Sequence, residues 1–298
     1  MKICIITNVY PPYARGGAEQ VVVKTVEGLL AAGHDVVVVT AAPQGQHVWR
    51  EGRLTIYRLH PFNVFFYTDA HRHGVLVRAF WHLLDMFHVG SAKYVRRVLE
   101  TEKPMVVHTH NLMGLGFLIP RVIRRLGIRH IHTVHDVQLA EPSGVILKKQ
   151  AHGFRYRGWP SQIYCAIMKY LVGSPSVVIS PSQFLLDFYG ERGFFPASRR
   201  IIIRNPAPAL HDRKEHTSHG SLQFLYVGQI ELHKGVVFLV RTFLSWLKRT
   251  NGDSVLHIAG SGTQQESIAH MAKGQKGIII HGKVDRASLP QLFRDVDV

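Results

Sequence analysis

Cysteine is nearly absent, with Cys4 and Cys165 the two in 298 residues. One falls in an expected strand and the other in an expected helix, so they offer no disulfide framework and suit a reducing cytosol. Long apolar runs are missing as well. No stretch approaches the roughly eighteen uninterrupted apolar residues of a membrane span. The N-terminal MKICIITNVYPPY carries a single lysine and too short an apolar run for a signal peptide. The chain is therefore expected to be soluble and cytoplasmic. Acidic residues are few beside basic ones, 20 against 36, giving a net charge of +16 with histidine neutral. That excess fits nucleic acid, an anionic membrane surface or an anionic substrate. No helix-turn-helix, zinc-finger or aromatic RNA-binding signature accompanies it, which ranks nucleic acid last. The dinucleotide and P-loop glycine fingerprints are also missing.

What is present is a globular composition, 46% apolar and 19% charged, with length enough for two ordinary domains. Near-continuous apolar strands alternate with amphipathic helices. Strands are expected over Met1–Asn8, Asp35–Thr40, Leu54–Leu59, Met105–His110, His130–His135 and Ser176–Ser180, with Ile201–Ile203 extended. Helices are expected over Ala18–Ala32, Leu76–Leu99 with a break near Gly90, Leu115–Leu126, Ile163–Val172 and Phe184–Tyr189. This alternation implies a parallel sheet covered on both faces, a doubly wound α/β domain over residues 1–205. Residues 206–221 are polar and proline-bearing and read as a linker. The alternation restarts over 222–298, where strands 222–227, 255–259 and 277–281 are separated by helices 236–248, 264–272 and 287–294. The closing DVDV reads as the start of a fourth strand, so the second domain is expected to be partial.

Several stretches could carry chemistry. In Leu222–Gly235 an apolar strand meets Gly228, a short polar loop and Lys234-Gly235 before a helix. A glycine turn, a lysine and a helix N-terminus together suit a diphosphate. The first strand likewise leads through Gly16-Gly17 into a helix, where backbone can approach a ligand at the carboxyl end of the sheet. Gly260-Ser-Gly262 is a third such turn. His108, His110, His130, His132 and His135 decorate two strands, with Asp136 next. Strand parity groups His108 with His110 and His130 with His132, leaving His135 opposite in parity to the latter pair. That distribution does not guarantee the three converging ligands of a metal site, and backbone carbonyls are expected to satisfy most of these rings. His110 and His135 differ, because both close their strands at the expected crevice. Phe62–Arg97 and Lys148–Trp159 interleave aromatic and basic residues, a mixture that suits an anionic bilayer or a lipid-linked acceptor.

Taken in order, ITNVYPP…RGGAE, HTHN (108–111), TVHD (133–136), ISPS (179–182), YVGQ…HKG (226–235) and AGSG (259–262) resemble the family-4 glycosyltransferases of the GT-B fold over nearly the whole chain. The resemblance implies two facing Rossmann-like domains, the first for the acceptor and the second for a nucleotide-sugar donor. Transfer to a glycan or lipid-linked acceptor would proceed with retention of configuration and without a metal or other cofactor. It implies roles for Gly16 and Gly17 near the donor phosphates and for His135 beside the transferred sugar. Gly228, Gln229, Lys234 and Gly262 would hold the donor, with His110, Asn111 and Asp136 on the acceptor side. Two departures stand out. Gln229 occupies a position where the family often has arginine, and the family's E-x7-E carboxylates would fall beyond Val298. A short chain that binds an acceptor or partner without chemistry is the alternative these departures leave.

Overall fold

A computed structural model describes residues 1–13, 16–146, 154–206, 221–250, 252–285 and 288–298. Residues 207–220, which make up nearly all of the expected linker, lie outside them, as do 148–153 of the basic–aromatic stretch. The chain divides into two compact units, Met1–Pro206 and Ala207–Val298.

In the first unit, β1 (Lys2–Thr7) leads through the Gly16-Gly17 turn into α1 (Gly17–Ala31), followed by β2 (Asp35–Ala41). Next come β3 (His47–Glu51), β4 (Leu54–Leu59), α2 (Val75–Met86) and α3 (Val89–Glu102). Then β5 (Val106–Thr109), α4 (Ile119–Arg125), β6 (Arg129–Thr133), α5 (Phe154–Arg157) and α6 (Trp159–Val172) follow. The unit closes with β7 (Val177–Ser180), α7 (Gln183–Glu191) and β8 (Arg199–Ile202). The eight strands lie in the order β3-β4-β2-β1-β5-β6-β7-β8, all parallel except β3. Strand alternation sends Cys4, Ile6, Val37 and Val39 into one core and Ile5, Val36 and Val38 into another beneath α1. Both faces are thus covered, the condition a parallel sheet requires.

Three local features differ from the sequence-based expectation. The Leu76–Leu99 helix breaks at Phe87–His88 rather than at Gly90, because the His88 Nδ1 accepts the Ser91 N–H at 2.9 Å and caps α3. Residues 112–118 form tight turns instead of helix, with Gly114 at φ 92 and Gly116 at φ 105, and α4 begins only before Pro120. The antiparallel β3 has every residue exposed, so no apolar period announced it.

The second unit runs β9 (Gln223–Val227), α8 (Val236–Thr250), β10 (Val255–Ala259), α9 (Gln265–Ala272), β11 (Ile278–Gly282) and α10 (Leu289–Arg294). Its sheet has the order β11-β10-β9 and is parallel throughout. Ile230, Val236, Val240, Phe243, Leu256, Ile258 and Ile268 form its core against α8 and α9. At the edge of β9, Asp297 N–H donates to the Gln223 carbonyl at 2.8 Å and Leu225 N–H to the Val298 carbonyl at 2.8 Å. The closing residues bond to the edge of β9 but form no strand of their own, so the fourth strand expected from DVDV is absent among the described residues.

Candidate functional site

In the first unit the polar residues gather where β1, β5 and β6 end. The backbone ties these ends together: Asn8 N–H donates to the Asn111 carbonyl at 2.8 Å, and His110 N–H to that of Ile6 at 2.9 Å. Parity then sorts the histidines. His130 and His132 share the β6 face that meets Thr109, whose hydroxyl lies 2.7 Å from His130 Nε2 and 2.8 Å from His132 Nδ1. His108 lies on the other face, 2.7 Å from the Thr133 hydroxyl. Threonine hydroxyls, not backbone carbonyls, partner these three rings, contrary to expectation. Carbonyls along strands are spent on the sheet ladder, whereas a cross-strand threonine stands level with its neighbour's side chain.

His135 shares the face of His108 and His110. Its Nε2 lies 2.9 Å from His110 Nδ1, with the rings near-parallel at 20° and centroids 5.2 Å apart. His108 packs on the far side of His110 at 4.2 Å. Burial keeps all these rings neutral. It lowers His108 and His135 to about 4 and His130 to about 3, and drives His110 and His132 well below the ordinary value. Neighbouring histidines add to the effect for all but His135.

Asp136 follows His135 at the lip of a recess of about 240 Å³, a volume that includes open solvent, together with Asn111, Gln138 and Leu139. Its carboxylate accepts the Gln138 N–H at 2.8 Å and is bonded by the Asn111 side chain, while burial raises its pKa overall. The loop is anchored from below. The buried Tyr189 hydroxyl donates to the Asp136 carbonyl at 2.7 Å and accepts the Leu139 N–H at 3.2 Å. Tyr164 donates to the Gln138 carbonyl at 2.9 Å. Gly16 and Gly17 open α1 nearby in the chain's first βα turn. The Gly16 N–H donates to the Glu19 carboxylate at 2.6 Å, and a Cβ on Gly17 would meet nothing within 4 Å.

Two further residues escaped sequence reasoning. The carboxylate of Asp85, buried in α2, receives the Gly114 N–H at 3.0 Å and so holds the 112–118 turns; burial raises it to about 7. It repeats Trp81 one helical turn on, which was its only signal. Tyr189 had none, since its partners are fifty residues away.

In the second unit Gly228, Gln229, Lys234 and Gly262 stand at the ends of β9 and β10. The two turns are locked together. Gly228 N–H donates to the Ala259 carbonyl at 3.0 Å and Ile230 N–H to that of Ser261 at 3.0 Å. Glu231 receives both the Thr263 N–H at 3.0 Å and its hydroxyl at 2.6 Å, bonds that hold its carboxyl below the usual range. A Cβ on Gly260 would overlap the Gly228 carbonyl, and one on Gly262 the Ile230 carbonyl. Gln229 and Lys234 are exposed above this platform, and Lys234 has no ion pair among the described residues. Lys234 closes a 3-10 turn, Leu232–Lys234, and Gly235 at φ 75 admits the chain to α8. The sequence-predicted residues thus form two groups, one in each unit.

Residues 16–206 match the model of the glycosyl transferase 4-like domain, and 221–298 that of glycosyl transferases group 1. An uncharacterised 42.6 kDa protein of the cps region of Klebsiella pneumoniae is 25% identical over 236 residues, covering 79% of this chain and 63% of that protein. Glycogen synthase of Mycobacterium tuberculosis is 28% identical over 294 residues, covering 92% and 64%. The chain thus spans a little under two thirds of the length of these two relatives. The solved structure of a UDP-forming trehalose-phosphate synthase of Burkholderia xenovorans, with glucose-6-phosphate, superposes with a TM-score of 0.63 at 12% identity, covering 99% of this chain and 78% of that one. That likeness identifies the fold as GT-B.

Proposed function

The chain belongs to the glycosyl transferase 4-like family, and we propose that it takes part in moving a sugar from a nucleotide-sugar donor to a glycan or lipid-linked acceptor with retention of configuration. The observation that carries this reading is the platform of the second unit. Two interlocked glycine turns leave a lone exposed lysine and a helix N-terminus at the carboxyl edge of a parallel sheet. In this reading Lys234 and the first N–H groups of α8 hold the donor diphosphate, with Gln229 and Gly262 beside it. As the sugar–phosphate bond breaks, negative charge grows on the diphosphate, and these groups stabilise it without a metal ion. His135 faces the transferred sugar, and His110, Asn111 and Asp136 belong to the acceptor side, with Gly16 and Gly17 near the donor phosphates.

Calorimetry of the 298-residue chain with UDP, GDP and their sugars tests the reading. Binding of one nucleoside diphosphate is expected, and Lys234→Ala should weaken it by about ten- to a hundredfold, the worth of a charged hydrogen bond. No binding of either diphosphate would remove the proposal. Turnover with the product's anomeric centre read by NMR separates retention from inversion. Donor binding without turnover would favour a chain that binds but does no chemistry.

The acceptor side also supports a membrane contact. Along α2, Leu76, Phe80, Leu83 and Phe87 recur at helical spacing on one exposed stripe, opposite buried Trp81 and Asp85. Phe62, Val64 and Val89 continue it around a groove of about 900 Å³, a volume that includes open solvent. Exposed Arg72, Lys93 and Arg97 accompany it in a molecule of net charge +16. We propose that this face rests on an anionic bilayer.

A further inference from the structure

Glu231 is the residue at which the locked part of the second unit's platform meets the exposed part. Up to Ile230 the two turns are joined by backbone. Besides the bonds from Gly228 and Ile230, the Gln264 N–H donates to the Ile230 carbonyl at 3.0 Å. Beyond Ile230 the chain runs in the open. None of Leu232, His233 and Lys234 is buried, and the Lys234 N–H donates back to the Glu231 carbonyl at 3.0 Å. The lysine turn therefore hangs from Glu231 at one end and from α8 at the other. Glu231 in turn spends both carboxylate oxygens on Thr263, Oε1 on the N–H at 3.0 Å and Oε2 on the hydroxyl at 2.6 Å. Gly262 makes room for this link, since a Cβ there would come within 2.8 Å of Glu231 Oε1. A carboxylate is otherwise out of place beside an anion, because like charges repel.

From these bonds we propose that Glu231 is a positioning residue that couples the Lys234 turn to the Gly262 turn, so that both meet one diphosphate together. Its carbonyl sets the lysine turn and its carboxylate the second glycine turn, which makes it the joint between the ends of β9 and β10. Glu231 thus helps the ligand by geometry and opposes it by charge. Breaking the link and removing the charge alone have opposite effects, which an acid that only repels would not show. The coupling stands on the hydrogen bonds. Its consequence for a nucleotide rests on the reading that the second unit holds the donor diphosphate.

Calorimetry of the 298-residue chain with UDP and with GDP reads that consequence. Glu231→Ala breaks the link and should weaken the diphosphate that binds by about three- to tenfold, the worth of one hydrogen bond. Glu231→Gln keeps an oxygen for the Thr263 N–H and offers its amide to the hydroxyl, and should bind at least as tightly as the native chain. Tighter binding by both variants would show that Glu231 only repels, and native affinity in Glu231→Ala that the link is idle. Either result overturns the inference. Thr263→Val removes the 2.6 Å bond alone and should lose part of the same affinity. Combined with Glu231→Ala it should lose no more than Glu231→Ala does; additive losses would also overturn the inference. Deuterium exchange without nucleotide is the second readout. Residues 232–235 and 261–264 should exchange faster in Glu231→Ala, and at the native rate in Glu231→Gln; unchanged exchange in Glu231→Ala would overturn the coupling. Should Glu231→Ala not fold, Thr263→Val and Glu231→Gln carry both comparisons. Faster exchange in Glu231→Ala, in a chain whose native form binds neither diphosphate, would keep the coupling and remove the donor reading.

Discussion

Two glycines that look alike in the sequence do different work. Gly260 lies at φ 155 with the Gly228 carbonyl where its Cβ would be, so the backbone of one turn rests directly on the other. Gly17 opens α1 with no atom within 4 Å of a would-be Cβ. Gly260→Ala should therefore cost about 1–3 kcal/mol, the usual penalty of forced overpacking. Gly17→Ala removes a flexible residue from a helix and should change stability little or raise it by up to about 1 kcal/mol. If the open space above Gly17 takes a substrate, Gly17→Ala loses donor or acceptor binding while keeping its fold. Urea unfolding and calorimetry on both variants check the contrast. Full binding by Gly17→Ala would show that the space is unused.

At the scale of elements, the two faces of α2 meet unlike surroundings. Trp81 and Asp85 fasten it to the unit, the indole N–H reaching the Phe65 carbonyl at 2.7 Å and the carboxylate receiving Gly114. Its other face leaves Leu76 86% and Phe80 56% exposed, beside Phe62 at 90%. Apolar area of this extent needs a cover. With vesicles containing anionic lipid, the chain should sediment with the lipid, and Leu76→Glu with Phe80→Glu should abolish that without shifting the unfolding midpoint. Equal binding to neutral vesicles would remove the charge component, and a stable dimer lost in the same variants would reassign the face. The mixture of aromatic and basic residues over Phe62–Arg97 was legible in sequence, but the exposed stripe emerges only with the burial of Trp81 and Asp85. The parallel sheet was legible too, because apolar strands alternate with helices, and so was the place of His110 and His135 at the ends of their strands, though not the hydrogen bond between them. β3 was not, since neither of its faces is buried. Nor was Tyr189, whose bonds to Asp136 and Leu139 exist only once α7 has packed against β7. Sequence patterns report which face is covered, and only packing decides what a covered polar group meets.

For the whole molecule the buried histidines decide how stability responds to acid. His108, His110, His130, His132 and His135 have folded pKa values depressed far below the 6.5 of an unfolded chain, three of them to about 3–4. Between those limits the unfolded chain takes up protons that the folded chain refuses, so stability falls as pH drops below about 6.5. Each histidine contributes up to about 1.4 kcal/mol per pH unit in that window. Asp85 acts in the opposite sense. Its carboxyl is raised from 3.8 to about 7, so the folded chain binds that proton more tightly and gains stability as pH falls through 7. The five buried histidines outnumber the two carboxyls that burial raises, Asp85 and Asp136, and leave a net loss on acidification. Each proton taken up also adds to a charge already at +16, which favours the expanded chain further. The urea midpoint should therefore drop between pH 7 and pH 5. Asp85→Asn keeps a side-chain oxygen for Gly114 but removes the opposing ionisation. Its midpoint should be higher than the native one at pH 7 and fall more steeply toward pH 5. A native midpoint that is flat or rises over this interval would mean that the histidine layer between β5 and β6 is not buried as neutral rings.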